Sequence, residues 1–121
     1  MENFKEIFEA YGGNYGITME RFVGNEAVYL RIFNMLFQDE NMGKLGLALS
    51  ENNLEAAFEA AHALKGVAGN LGLEPLYQAV CQLVEPLRNK EQREDYSVLY
   101  KNVSAEFQKV EGLRKMLEGG E

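Results

Sequence analysis

Apolar residues recur along this chain every three or four positions, the spacing of a helix with one buried face. Phe4, Ile7, Phe8 and Tyr11 predict a short amphipathic helix from Asn3, stopped by Gly12 and Gly13. The stretch "YGGNYGI" reads as a loop, and Thr18 as the cap of a brief turn holding Met19, Phe22 and Val23. Gly24-Asn25 breaks that turn, and Asn25 serves as N-cap of a helix with the stripe Tyr29, Ile32, Phe33, Leu36 and Phe37. The pattern loosens at "DENMGK" and resumes through Leu45, Leu47 and Leu49 before a turn at "SENN".

A second half follows with the same period. A helix is expected from Leu54 to Leu71, with Gly72 as its stop and Pro75 in the first turn of the next, where a missing N–H costs nothing. There Leu76, Ala79, Val80, Leu83 and Leu87 share a face, and Pro86 is expected to kink or shorten the end. After the polar "RNKEQRED", with Asp95 as a cap, Leu99, Val103, Phe107, Val110, Leu113 and Leu117 mark a last helix. Four substantial amphipathic helices, each with one stripe to bury, predict an all-α fold: an up-down four-helix bundle with a short additional N-terminal helix. No repeat or linker divides the chain, so residues 1–121 are expected to form one domain. Met1 and the "EGGE" end read as natural termini.

Charge narrows the partners. A formal net charge of −7 argues against nucleic acid and against an acidic membrane surface, both of which call for clustered Lys and Arg. No apolar run approaches the ~20 residues of a membrane span, and the N-terminus lacks the basic start and apolar centre of a signal peptide. The lone Cys81 rules out an internal disulfide and fits a reducing compartment. The expectation is a soluble, cytoplasmic monomer.

The chemistry concentrates in "AHALKGVAGNLGL", Ala61 to Leu73, which holds the chain's one histidine. Gly66 and Gly69 lie inside the predicted helix, where each costs about 1 kcal/mol against alanine. On a helical wheel Leu54, Ala57, Ala61, Leu64, Ala68 and Leu71 form the core side, and His62 points about 130° away from it. Phe58 and Glu59 lie one turn before His62, and Lys65, Gly66 and Gly69 in the turns after it, on the same exposed side. Absent side chains beside a solvent-facing imidazole leave room for a bulky partner, and the Lys65 ammonium can meet an anion placed on the ring. The arrangement reads as an accessible nucleophilic histidine.

Through His62, Leu64, Lys65, Gly66, Gly69, Leu71, Gly72 and Leu73, the stretch resembles the signature of histidine-containing phosphotransfer domains, the HPt modules of multistep phosphorelays. More loosely, the resemblance extends over nearly the whole chain. It implies a helical bundle whose histidine accepts a phosphoryl group from a receiver-domain aspartate and passes it to another receiver. His62 would then be the phosphoacceptor, Lys65 would neutralise the phosphate, and Gly66, with Gly69, would give the receiver room. Phe58 is an apolar docking candidate and Arg88 a further positive charge. Many members carry a Gln or Glu near the histidine on the next helix; Val84 occupies the aligned position here. The partners implied are response-regulator receiver domains and a hybrid sensor histidine kinase. Mg²⁺ would come on the receiver and no cofactor on this chain.

Rival chemistries fit less well. Glu59-x-x-His62 is one Glu-x-x-His pair of the di-iron type, but such a site needs two pairs and inward carboxylates, so no metal is expected. Cys81 as a nucleophile with His62 as base conflicts with its setting among Ala79, Val80 and Leu83, which predicts a small buried hydrophobe. Phe33 and Phe37 read as core. There is no Walker loop or kinase glycine loop, so no ATP-dependent autophosphorylation is expected. The alternative is a non-catalytic helical module that docks a receiver or kinase.

Overall fold

The structure, a computed structural model, describes residues 3–119; Met1 and the final Gly120-Glu121, where natural termini were expected, lie outside the described residues. Among the described residues there are seven helices and no strand: α1 (Phe4–Tyr11), α2 (Tyr15–Glu20), α3 (Glu26–Leu36), α4 (Asn41–Ser50), α5 (Leu54–Asn70), α6 (Glu74–Arg88) and α7 (Tyr96–Gly119). Asparagine starts four of them. The side chains of Asn3, Asn14, Asn25 and Asn53 accept hydrogen bonds from the N–H groups of Glu6, Ile17, Val28 and Ala56, each satisfying a donor that the first helical turn leaves free.

The long helices form a ring: α4 packs on α5, α5 on α6, α6 on α7, and α7 returns to α4, with α1 laid against α7. Short connections join the first three, so each helix lies beside the one that follows it. The bundle centre is apolar throughout: Leu45, Ala57, Ala61, Leu64, Leu76, Val80, Leu83, Val103 and Val110 are almost wholly shielded from solvent. None of the helices is long and apolar enough to cross a membrane.

Two details depart from the sequence expectations, at α2 and between α3 and α4. The "YGGNYGI" stretch is only partly loop: α2 begins at Tyr15 under the Asn14 cap, and Thr18 lies inside it, buried rather than capping. Asn14 wins because its side chain reaches Ile17 N–H at 3.0 Å from a backbone already extended. The polar break after Phe37 separates two helices, α3 and α4, instead of bending one. Pro86 lies within α6, and the helix runs two residues past it to Arg88. Asp95 takes the capping place through its carbonyl, which accepts from Leu99 N–H, while its carboxylate pairs with Arg93.

The N-terminal helices attach through aromatic rings. Tyr29, fully buried, meets Phe4, Phe8 and Phe22 edge-on at centroid distances of 5.7, 5.7 and 5.1 Å. Such edge-to-face pairs add to the burial of the rings themselves. The Tyr29 hydroxyl then donates to the Leu71 carbonyl at 2.6 Å, which ties α3 to the end of α5.

Candidate functional site

The site grows out of α5. Its core stripe is the expected one: Leu54, Ala57, Ala61, Leu64, Ala68 and Leu71 are all buried, and Ala60 joins them. Burying six positions at this spacing fixes the rotation of the helix, and with it the direction of everything else on it. His62 emerges exposed.

Where α5 ends, three constraints meet. Gly72 takes φ +68°, and the Leu73 N–H bonds back to the Ala68 carbonyl at 2.9 Å, the left-handed helix stop that glycine accommodates. A β-carbon on Gly72 would lie 2.1 Å from the Thr18 hydroxyl oxygen, so α2 packs directly on this turn. The Arg21 guanidinium donates through Nη1 to the carbonyls of Gly69 (3.1 Å) and Asn70 (3.2 Å). Carbonyls of the last turn lack helical partners, and a cation there is favoured by the helix dipole.

Around His62 the surroundings are well defined on one side and open on the other. The Phe58 ring, one turn earlier, stacks on the imidazole with centroids 5.4 Å apart and planes 29° apart. Arg88, from the end of α6, places its guanidinium carbon 5.1 Å from the Phe58 centroid and pairs with Glu85 at 3.5 Å. So Arg88 acts first on Phe58, a cation–π contact worth about 0.5–1 kcal/mol when exposed. Beyond the ring, His62, Lys65, Gly66, Gly69 and Asn70 of α5, Arg21 at the C-cap of α2 and Tyr77 of α6 line one open depression of about 400 Å³. Neither Arg21 nor Lys65 has a carboxylate within ion-pair distance among the described residues.

The two glycines differ. A β-carbon at Gly66 would meet nothing within 4 Å, so this position is open space beside His62. At Gly69 it would come within 3.2 Å of the Tyr77 ring. Gly69 therefore makes room for a side chain of the neighbouring helix. Tyr77 itself has its phenol pKa raised, first by the Cys81 thiol one turn further on α6.

Two further positions lie on α6. Val84 is fully buried in the bundle and stands with Val80, Leu83 and Leu87, so the α6 position aligned with a polar partner is core. Cys81 is half-exposed rather than buried, because the turn of α6 that carries Tyr77 outward carries Cys81 with it. Arg21 and Tyr77 escaped the sequence reading altogether. Arg21 sits 48 residues ahead of Gly69, and nothing local to it announces that contact. Tyr77, eight positions after Gly69 across a glycine turn, was within reach of a pattern argument only if the α5–α6 crossing were known.

What the fold and the site define is an all-helical bundle that displays a single, ring-stacked histidine beside unpaired cations and an open helix face. The sequence model of the family described as Hpt domain matches residues 36–119, most of the chain, and the chain belongs to that family. Membership implies histidine phosphotransfer in phosphorelays, in which Hpt domains work with receiver domains and kinases. The match takes in α4 to α7 and the last residue of α3; α1, α2 and the rest of α3 precede it. No curated protein and no solved structure shows significant similarity to the chain.

Proposed function

We propose that this chain is a phosphorelay intermediate in which His62 takes a phosphoryl group from the phospho-aspartate of one receiver domain and gives it to another. The observation that carries the reading is the exposed His62 ring, fixed against Phe58 and bordered by the open position at Gly66, within the family-matched segment. An unprotonated ring nitrogen attacks phosphorus; the N–P bond forms as the acyl-phosphate P–O bond breaks, and the aspartate leaves as a carboxylate. Such transfers depend mainly on in-line positioning and charge stabilisation, with Mg²⁺ supplied on the receiver. On this chain Phe58 orients the ring, Lys65 meets the phosphoryl charge, and Gly66 leaves the approach free. Gly69 serves the approach indirectly, by leaving room for the Tyr77 ring beside α5. Residues 1–121 act as one domain, as a cytoplasmic monomer, between receiver domains and a hybrid sensor histidine kinase.

The test mixes a receiver domain, phosphorylated by a small-molecule donor in Mg²⁺, with the protein, and reads intact mass for wild type and His62→Gln. One acid-labile, base-stable phosphoryl group on wild type alone is the expected result. Receivers that bind both proteins equally and phosphorylate neither would replace the relay with a non-catalytic docking module.

A further inference from the structure

The Hpt family match begins at residue 36, yet the depression containing His62 is completed from outside it, by Arg21, which caps the C-terminal end of α2. Resting on the proposal that His62 carries the phosphoryl group, we propose that Arg21 is a second phosphate-holding cation of that site, contributed by the N-terminal helices. Its place is built, not incidental. Thr18 and Met19 bury α2 in the core, the Thr18 hydroxyl fills the space left by Gly72, and two helix-end carbonyls grip Nη1.

The chemistry suits an anion. A guanidinium has five N–H donors in a planar fork matched to phosphate oxygens. Only Nη1 is engaged with protein among the described residues, through the carbonyls of Gly69 and Asn70, and both acceptors are neutral. The Arg21 charge is therefore not cancelled by a carboxylate, in a protein whose formal net charge is −7. Lys65 lies in the same depression and likewise has no carboxylate within ion-pair distance among the described residues. Two cations, one from α5 and one from the turn that ends α2, face one open volume of about 400 Å³ next to His62, with no acidic side chain in its lining. A phosphoryl group on the imidazole would bring into that volume a dianion that needs such partners.

The experiment uses the full chain and phosphoramidate, so that it does not depend on finding the right receiver. The imidazole nitrogen attacks phosphorus, the P–N bond of the donor breaks and ammonia leaves, giving phosphohistidine directly. The ³¹P chemical shift of the phosphohistidine is followed against pH for wild type, Arg21→Ala, Arg21→Lys, Lys65→Ala and Lys101→Ala. A cation beside the phosphoryl group disfavours adding a proton to the phosphorylated imidazole, so losing one raises the pH midpoint of the phosphorus shift.

Arg21→Ala is expected to move that midpoint upward by about half a pH unit, the scale of a partly solvated ion pair. Lys65→Ala should do the same, Arg21→Lys should fall between, and Lys101→Ala should leave it in place. A purely structural Arg21 would lower the melting temperature through the lost helix-end bonds and leave the phosphorus titration unmoved. Superimposable curves for wild type and Arg21→Ala, with His62 phosphorylated in both, overturn the Arg21 proposal and spare the relay reading. No phosphohistidine on wild type overturns both.

Discussion

The two sides of α5 obey opposite rules. Leu54, Ala57, Ala61, Leu64, Ala68 and Leu71 are buried, and alanines stand between the leucines so that α4 and α6 can close on the helix. A third of a turn away, His62, Lys65 and Gly66 touch little beyond Phe58 and the rim of the depression. Seventeen residues of one helix thus divide the labour: one face supplies stability and the other is kept accessible. Stability and transfer should therefore come apart under mutation. The largest expected effect is the sharpest form of this separation. His62→Gln should abolish phosphorylation and leave the unfolding midpoint unmoved, since exposed substitutions usually stay within about 0.5 kcal/mol. Leu64→Ala, two positions on, should cost about 2–5 kcal/mol from lost burial and the cavity left behind. Protein still folded after Leu64→Ala should keep its transfer rate. Urea titrations with the mass assay on the same samples check both halves, and a His62→Gln protein that unfolds early would break the comparison.

The end of α5 is the place where the division fails, because there the N-terminal helices and the site share atoms. Gly72→Ala forces an L-residue into φ +68° and drives its β-carbon into the Thr18 hydroxyl. The left-handed backbone costs about 1–2 kcal/mol and the overlap a further 1–3 kcal/mol. Thr18→Ala made in the same chain removes the oxygen 2.1 Å away but leaves the β-carbon at 3.0 Å, so it should restore part of the overlap cost and none of the backbone cost. Chemical denaturation of the single and double variants measures both. Full recovery in the double variant would show that the backbone conformation is not the constraint described here.

Much of this was legible in the sequence, and the exceptions share one cause. The core stripe of α5, the Asn25 cap, the stop at Gly72 and the outward direction of His62 all follow from spacing within a single helix, which a periodicity reading resolves. Arg21 and the Gly69–Tyr77 contact depend on how separate elements pack together, which no single-helix pattern contains. Gly66 and Gly69 look alike on a wheel because a wheel gives the direction of an absent side chain and not what comes to fill its place. Thr18 misled for a related reason. Asn14 and Thr18 both have capping chemistry, and the buried setting of Thr18 against Gly72 is known only once α2 is laid on the end of α5.

Alkaline pH probes the same junction without mutating the site. Burial raises the phenol pKa of both Tyr29 and Tyr11 well above the ordinary value of 10.0. Above pH 10 the unfolded chain loses these protons while the folded chain keeps them, so the stability present below that pH declines as pH rises. One pH unit above the unfolded value, each phenol that stays protonated should cost about 1.4 kcal/mol. Tyr11→Phe removes one such contribution and should flatten the decline. Tyr29→Phe should flatten it too, but from a lower starting stability of about 1–3 kcal/mol less, because the buried Leu71 carbonyl loses its donor. Thermal melts between pH 8 and 11, conditions set by the ordinary tyrosine range, separate slope from intercept.

The smallest expected effect tests the open face directly. At Gly66 the helix bears the cost of a glycine and no neighbour occupies the space, so Gly66→Ala should stabilise the fold by up to about 1 kcal/mol. That corresponds to roughly 3–6 °C in the melting temperature of a domain this size. Gly69→Ala gains the same propensity, but its β-carbon presses on the Tyr77 ring at 3.2 and 3.3 Å, so the net change should be close to zero. If receiver access is what keeps Gly66 a glycine, the more stable Gly66→Ala protein should be the slower one in transfer from a phosphorylated receiver, and its direct reaction with phosphoramidate should be unchanged. A stabilised Gly66→Ala protein with undiminished receiver transfer would mean that the face beside His62 has room to spare, and that the receiver approaches over Phe58 or over the Arg21 side instead.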